Sequence, residues 1–326
     1  EHLNLSETNQ RGRTMTHSTI KGINHVGLCV SDLQAAAAFY ERAAGISQAP
    51  IKGLGNPMAE TASGFEILPE GRLTLRGPNA YLQLSQYAPL DGAASGVLPV
   101  AGPGVTHVCF QSATQKNLYA RFKAQGAVPV SRGDAPISLL GQGVYYAYAR
   151  DLDGIMFETE HLDRPHFNDP VWLSHVALVS PDIDQLVAFY QTVLGVQVSR
   201  RANKAAGPTF DQVADYDDVH IRAAWFHMEN MDLELWQFVN PVTPETGPPA
   251  PFEQIGYQKF AFEVSDIQKD YGRSVDAGIT FLSKPVESAQ STEVYARDPD
   301  GNLFSLIQMR DDSAYSIDRL KKKKVG

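Results

Sequence analysis

The feature that most constrains the fold of this chain is a unit that occurs four times. Each copy begins with an alternating apolar run, typical of a β-strand, and continues into a helical segment that follows polar residues. The four strand segments are Gly22–Val30, Gly104–Phe110, Leu173–Val179 and Gly256–Val264. Later in each copy, two more strand segments are joined by a turn rich in Gly, Asn or Asp. We therefore predict an α+β fold built from four βαβββ modules.

A module of roughly 60 residues is too small to bury a core alone, so modules must pair. The length of 326 residues allows two such pairs. The predicted divisions are a leader or disordered segment at 1–20, a first domain at 21–160, a linker at 161–171, a second domain at 172–310 and a solvated basic tail at 311–326. Sequential modules are expected to pair, because neighbours along a chain usually meet in space. The alternative pairs module one with four and module two with three.

Composition narrows the range of partners. The chain has 28 basic and 37 acidic residues, a net charge of −9, and no basic stripe with interleaved aromatics, so nucleic acid is not an expected partner. It contains no apolar run of the roughly 20 residues that a membrane helix needs, and its first residues lack a signal-peptide pattern. We expect a cytoplasmic protein that binds a small molecule. Cys29 and Cys109 are expected to be buried thiols on strands.

The repeated strand pattern and two Asp-x-Asp-Gly hairpins, at Asp151–Gly154 and Asp298–Gly301, resemble the vicinal-oxygen-chelate superfamily. This family includes glyoxalase I, methylmalonyl-CoA epimerase, the extradiol dioxygenases and the bleomycin-resistance proteins. The resemblance implies that paired modules form two half-open barrel domains, each with a divalent metal held by the first and last strands of its modules. The corresponding positions in this sequence are His25, Gln83, His107, Glu158, His175, Glu234, Lys259 and Ser305.

Module pairing decides which of these residues meet. Module four offers no ligand, because Lys259 is a cation and Ser305 is a poor donor. Sequential pairing, the expected arrangement, would assemble a quartet similar to that of methylmalonyl-CoA epimerase: His25, Gln83, His107 and Glu158. Crossed pairing would assemble a quartet similar to that of glyoxalase I: His107, Glu158, His175 and Glu234. Either set of nitrogen and oxygen donors suits one divalent ion such as Fe, Mn, Co, Ni or Zn.

The chemistry implied by the resemblance is proton transfer beside a carbonyl, in which the ion stabilises an enolate of a substrate with two adjacent oxygens. Glu66 corresponds to the glutamate base of the epimerases, and Tyr148, like Tyr146, is placed to contact substrate. We therefore predict a metal-dependent epimerase, isomerase or lyase, with a homodimer as one allowed assembly.

Two other functions stay open at this point. The first is an extradiol-type Fe(II) dioxygenase with His25, His107 and Glu158 as its facial triad, although Leu152 replaces the proline usual in the signature of that class. The second is a protein that sequesters a small molecule without converting it. The sequence does not identify the substrate.

Overall fold

The computed structural model describes residues 18–65, 69–88 and 97–323. Residues 1–17 of the predicted leader lie outside the described residues, and so does Glu66, the predicted base. Each of the four predicted modules contains a first strand, a helix and a closing hairpin.

The elements follow the module order along the chain. Module one contains β1 (Ile20–Cys29), α1 (Leu33–Ala44), β2 (Ser47–Gln48), α2 (Pro57–Ala62), β3 (Gly71–Arg76) and β4 (Tyr81–Gln86). Module two contains β5 (Gly104–Ala113), a 3-10 turn (Thr114–Lys116), α3 (Leu118–Ala124), β6 (Val128–Pro129), β7 (Ile137–Ser138), β8 (Val144–Arg150) and β9 (Met156–Leu162). Module three contains β10 (Trp172–Val179), α4 (Ile183–Leu194), β11 (Arg200–Ala206), α5 (Pro208–Ala214), β12 (His220–Phe226) and β13 (Asp232–Asn240). Module four contains β14 (Gly256–Val264), α6 (Ile267–Asp276), β15 (Val286–Glu287), β16 (Ser291–Arg297), β17 (Leu303–Met309) and a 3-10 turn (Ile317–Arg319).

Local sequence fixes the ends of the longer helices. The Asp32 carboxylate accepts hydrogen bonds from two backbone N–H groups of the first turn of α1, and Asp182 does the same for α4. Both helices stop at a glycine in the left-handed region, Gly45 at φ 75° and Gly195 at φ 65°, where a side chain would be strained. The ends of α1 and α4 are therefore set by residues within one turn of each end.

The strands form two sheets of eight and nine strands. The first has the order β15-β16-β17-β14-β1-β4-β3-β2. The second has the order β11-β12-β13-β10-β5-β9-β8-β6, and β7 pairs with β8. In the first sheet β1 runs antiparallel to β14, and in the second β5 runs antiparallel to β10. The predicted α+β class is confirmed, and the described strands form open sheets, with β2 and β15 as the edges of the first.

This topology joins module one to module four and module two to module three. The sequential pairing that we expected is therefore wrong, and neither 21–160 nor 172–310 forms a sheet of its own. The predicted linker is the shortest of the three connections between modules, and it joins β9 to β10 within one sheet. The longer connectors, 87–103 and 241–255, are the ones that cross between sheets.

Sequential modules are instead held together through their helices. Helix α1 packs on α3, and α4 packs on α6. The Tyr40 hydroxyl of module one donates to Asp151 in the hairpin of module two at 2.7 Å, and Tyr190 donates to Asp298 in the same way at 2.8 Å. The main core lies between the sheets and these helices, and it is continuous across all four modules.

The described part of the predicted basic tail packs on the protein. Ile317 is 1% exposed, and Glu263 accepts a hydrogen bond from its backbone N–H. Three lysines form ion pairs with other modules, namely Lys321 with Asp169, Lys322 with Glu229 and Lys323 with Asp232. Residues 311–323 are thus not the solvated extension that the charge run indicated. Among the described residues, no helix has the length and hydrophobicity needed to cross a membrane.

Candidate metal centre

The strand register places the eight predicted positions equivalently in all four modules. In each module the first-strand residue lies two positions before the residue that pairs with the last-strand residue. Those pairs are Cys109 with Glu158, Ala177 with Glu234, Gly27 with Gln83 and Ala261 with Ser305. Because side chains two residues apart share a face, each first-strand residue projects on the same side as its last-strand counterpart.

On the second sheet these positions bring two imidazoles and two carboxylates together. One ligand atom from each of His107, Glu158, His175 and Glu234 lies within 4.8 Å of the other three. The Nε2 atoms of His107 and His175 are both 3.0 Å from Glu158 Oε2, and His175 Nε2 is 2.9 Å from Glu234 Oε2. All four residues are buried. The crossed pairing therefore assembles the quartet that the sequence offered as the alternative.

The pKa values of His175 and Glu158 show that the quartet favours positive charge. Burial favours the neutral form of His175, but Glu234 and Glu158 outweigh it and raise its pKa well above the usual value. Burial also opposes ionisation of Glu158, yet the close contacts with the imidazoles of His107 and His175 lower its pKa to about 2. Glu158 is thus anionic, and a proton on His175 supplies part of the balancing charge.

The residues fit a divalent cation. His175 Nε2 carries one proton at most, and only its contact with Glu158 has the alignment of a hydrogen bond. Within the described ranges, His107 Nε2 and Glu234 Oε2 are buried without a hydrogen-bond partner, although each lies at 3.0 Å or less from an atom of the quartet. Four donor atoms that converge in this way with only one hydrogen bond among them are the arrangement that a metal ion satisfies, and imidazole with carboxylate suits Zn, Fe, Mn, Co or Ni.

Neighbouring groups orient the donors. Thr106 Oγ1 lies 3.1 Å from His107 Nδ1, which leaves Nε2 directed at the quartet. The Trp225 indole N–H donates to Glu234 Oε1 at 2.5 Å, which leaves Oε2 free for the quartet. The ring of Tyr148 is centred 5.0 Å from the His107 ring. The structure therefore places Tyr148 beside the quartet.

A second polar group lies next to the quartet on the same face. Cys109, Glu160 and His175 have ligand atoms within 4.8 Å of one another, and Gln111 donates to Glu160 at 2.5 Å. Burial raises the pKa of Cys109 well above its usual value and, with the nearby Glu158, raises the pKa of Glu160 to about 7. Cys109 and Cys29 are buried free thiols, as the sequence predicts.

His25 and Gln83, two of the four predicted ligands, lie on the first sheet and not with His107 and Glu158. Gln83 Oε1 accepts hydrogen bonds from the backbone N–H groups of Leu54 at 2.7 Å and Gly55 at 3.2 Å. Burial, together with two nearby cations, lowers the pKa of His25 well below its usual value. The predicted quartet is thus divided between two sheets, because β1 pairs with β14 and not with β5.

An ammonium group replaces a donor at the equivalent place on the first sheet. Lys259 is fully buried, and its Nζ lies 2.7 Å from the Tyr295 hydroxyl and 3.2 Å from Glu60 Oε1 on α2. Arg72 Nη2 lies 2.6 Å from the other carboxylate oxygen of Glu60. A Cβ on Gly55 would lie 2.6 Å from Lys259 Nζ, so a side chain there would require the ammonium group to shift. We call Lys259, Glu60, Arg72 and Tyr295 the lysine cluster.

The rest of the second-sheet face is apolar and aromatic. A separate core cluster on this side includes Tyr146, Tyr148, Ile221 and Phe238, and Val213 of α5 packs against it. A cavity of about 520 Å³ opens elsewhere, between the two long connectors, and none of the four donors lines it. That cavity is therefore separate from the quartet.

Our sequence reasoning missed two residues near the quartet. Trp225 pairs directly with Glu234, and Arg200 pairs directly with Trp225. The closing strand segments of module three, 223–228 and 232–238 with a turn at 229–231, predict a hairpin in which Phe226 lies opposite Glu234. The observed register is shifted by one residue and places Trp225 there. The link to Arg200 crosses a longer connection and could not be counted in this way.

Comparison with known proteins gives relatives of several activities. The chain is 28% identical over 144 residues to the ethylmalonyl-CoA/methylmalonyl-CoA epimerase of Cereibacter sphaeroides, a match that covers 43% of this chain and 97% of the epimerase. Among solved structures, glyoxalase I from Zea mays aligns with a TM-score of 0.61 at 20% identity, over 88% of this chain and 92% of that one. A candidate dioxygenase from Bacillus subtilis aligns with a TM-score of 0.59 at 15% identity, over 93% and 89%. At these identities the two structures show a shared fold.

The family model described as Glyoxalase/Bleomycin resistance protein/Dioxygenase superfamily matches twice, at residues 22–159 and 172–306. Each match spans two consecutive modules, and the two matches together cover most of the chain. The equivalent register of the four modules agrees with this repetition. The chain belongs to the Glyoxalase/Bleomycin resistance protein/Dioxygenase superfamily.

Proposed function

We propose that this protein is a divalent-metal-dependent isomerase that moves a proton on the carbon beside a substrate carbonyl. The observation that carries the proposal is the buried convergence of His107, Glu158, His175 and Glu234 on the second sheet. One ion per chain is proposed, with those four side chains as its ligands. His25 and Gln83 are not part of this site.

The ion would supply Lewis acidity toward a carbonyl that has a second oxygen on the adjacent carbon. The chain's own residues determine how that acidity is used. Two carboxylates and two neutral imidazoles carry a formal charge of −2, which matches a divalent ion. The buried surroundings exclude bulk water, so each charge interaction within the site is stronger than it would be in water.

Tyr148 is proposed as a hydrogen-bond donor to the substrate. Burial, with Glu158 and Glu234 adding to it, raises the pKa of this phenol well above its usual value, so the hydroxyl keeps its proton. A protonated phenol beside the quartet donates to an oxygen on which negative charge develops. Glu66 was predicted as the base by its correspondence to the epimerases, a prediction that belongs with the His25 and Gln83 set of module one, so it is not part of the proposal for the second-sheet quartet.

Among the proton-transfer reactions, we place isomerisation of a 2-hydroxycarbonyl adduct, formed from a 2-oxoaldehyde and a thiol, before epimerisation of a thioester. The donor set supports this order, because two imidazoles with two carboxylates resemble the glyoxalase I quartet. The epimerase relative supports the second reaction, and both need the same proton removed from the carbon beside a carbonyl.

The test combines metal analysis with solvent exchange. Wild type, His175→Ala and His25→Ala would be loaded with Zn(II), Ni(II) or Mn(II), and bound metal would be counted by elemental analysis. Each would then be incubated in D₂O with hemithioacetals of 2-oxoaldehydes and with 2-methyl-branched acyl thioesters. NMR would report deuterium entering the carbon beside the carbonyl. His25 is the matched control, because it occupies the same register position on the first sheet.

We expect one ion per chain and metal-dependent exchange in wild type and His25→Ala, with both lost in His175→Ala. Retention of metal and exchange in His175→Ala would contradict the proposed site. Oxygen uptake with catechols, without deuterium exchange in either substrate class, would show that the site serves a dioxygenase instead.

A further inference from the structure

An exposed arginine stands beside the quartet on the same face of the second sheet. Arg200, the first residue of β11, has its guanidinium carbon 3.7 Å from the centre of the Trp225 ring. The same indole ring also donates a hydrogen bond, from its N–H group to Glu234 Oε1. One indole ring therefore connects an exposed cation to a proposed metal ligand.

The strand register establishes that these groups share a face. Arg200 pairs with Trp225 across β11 and β12, and Trp225 pairs with Glu234 across β12 and β13. This row of paired residues extends across β10 to β5, because Ala177 pairs with both Glu234 and His107. Residues directly opposite each other on neighbouring strands project to the same side, so Arg200 is at the outer end of the row that contains the donors.

Arg200 differs from the arginines around it in having no carboxylate partner among the described residues. In the described part of the chain, no carboxylate lies within 4.0 Å of its side-chain nitrogens. Its neighbours Arg201 and Arg222 both pair with Asp184, on the outer side of the strands. Stacking on an indole holds a guanidinium in place while its N–H donors stay available, which is the arrangement used to bind carboxylate and phosphate groups.

We infer that Arg200 is the anchor for an anionic group on the substrate, and that Trp225 fixes its position relative to the metal. The substrate class is then a molecule with two adjacent oxygens at one end and a carboxylate or phosphate at the other, separated by about the width of an indole ring. This inference rests on the proposed function, because it assumes that the quartet holds the ion.

The test uses metal-binding probes in place of the unidentified substrate. A hydroxamate presents two adjacent oxygens to a metal ion. Alkyl hydroxamates with chains of four to eight carbons would be compared with analogues in which a carboxylate replaces the terminal methyl group. Calorimetry would give the affinity of each probe for the Zn(II)-loaded full-length protein, in wild type, Arg200→Gln, Arg200→Lys and Arg201→Gln. Arg201 is the matched control on the opposite face.

At the best chain length, we expect the terminal carboxylate to improve affinity about fivefold to tenfold in wild type, the range for one accessible charge-assisted contact. The preference should fall to within about twofold in Arg200→Gln and stay unchanged in Arg201→Gln. Arg200→Lys should retain part of it, because lysine keeps the charge but lacks the planar fork. Affinity for the neutral probes should be the same in all four proteins, which shows that the variants are folded.

Two results would overturn the inference in distinguishable ways. Metal-dependent binding of both probe series with no carboxylate preference, or with a preference that survives Arg200→Gln, would refute the role of Arg200 and leave the proposed function intact. If hydroxamates bind apo and Zn(II)-loaded protein equally, the metal site itself is refuted and the inference falls with it.

Discussion

Replacing Lys259 with methionine tests whether the lysine cluster stabilises the first sheet through buried charge. Lys259 is fully buried, and its ammonium contacts Glu60 at 3.2 Å and Tyr295 at 2.7 Å. Methionine retains most of the aliphatic stem, so the change removes mainly the charge and two hydrogen bonds. Burial favours a neutral Glu60, but Lys259 and Arg72 outweigh it and hold its pKa below the usual value.

Removing one partner of a buried ion pair typically costs about 3 to 5 kcal/mol, because the remaining charge is left without compensation. In this cluster Arg72 stays 2.6 Å from Glu60, so the carboxylate keeps one cation. We therefore expect the lower end of the range, a loss of about 3 kcal/mol in the free energy of unfolding. With a urea slope of about 3 kcal/mol per M, the midpoint should fall by about 1 M.

Urea denaturation followed by circular dichroism measures this difference, with Lys123→Met as the control. Lys123 pairs with Asp134, whose side chain is fully exposed, so solvent already screens that interaction and its midpoint should barely change. Bound metal should stay at one ion per chain in both variants. Equal midpoints for Lys259→Met and Lys123→Met would refute the reasoning, because the buried cluster would then contribute no more than an exposed pair.

Two further predictions concern single side chains, Trp225 and Asp151. Trp225→Phe should lower Zn(II) affinity about tenfold to a hundredfold in a competition titration, because Glu234 loses the N–H that orients it. Trp236→Phe is the control and should leave affinity unchanged, because the Trp236 indole N–H has no hydrogen-bond partner in the part of the chain that the structure describes. Unchanged affinity in Trp225→Phe would contradict this orienting role. Burial raises the pKa of Asp151 to about 6 in the folded protein from a usual 3.8, so folding binds a proton there. The free energy of unfolding of wild type, relative to Asp151→Asn, should therefore fall as the pH rises from about 4 to 6, and a difference that is constant with pH would exclude this linkage.

The boundaries of helices and hairpins were accessible from the sequence because they depend on local chemistry. Asp32 and Gly45 set the ends of α1 by hydrogen bonding and backbone conformation within one turn. The eight candidate donor positions came from the family resemblance, which could be applied to each module separately because each position depends only on the first and last strands of that module. Local pattern was sufficient for each module taken alone.

Module pairing was not accessible, because it depends on contacts far apart in the sequence. The first strands of all four modules have similar apolar alternation, so β1 matches β5 and β14 equally well by pattern. Burial of Lys259 needs Glu60 from α2, a six-residue helix in a stretch rich in Gly and Pro that periodicity does not identify. Only the structure shows that Glu60 of α2 is the carboxylate that pairs with Lys259 of β14.

The crossed pairing has a consequence for the order in which the chain can assemble during synthesis. Strand β10 follows β9 after a short connection, so the second sheet begins to close once module three has left the ribosome. Strand β1 must wait for β14, and Ile20 meets Val264 only after almost the whole chain has been made. Closing so long a loop is slow compared with pairing near neighbours. The nascent chain therefore completes the second sheet, with its four donors, while module one still has an unpaired strand edge.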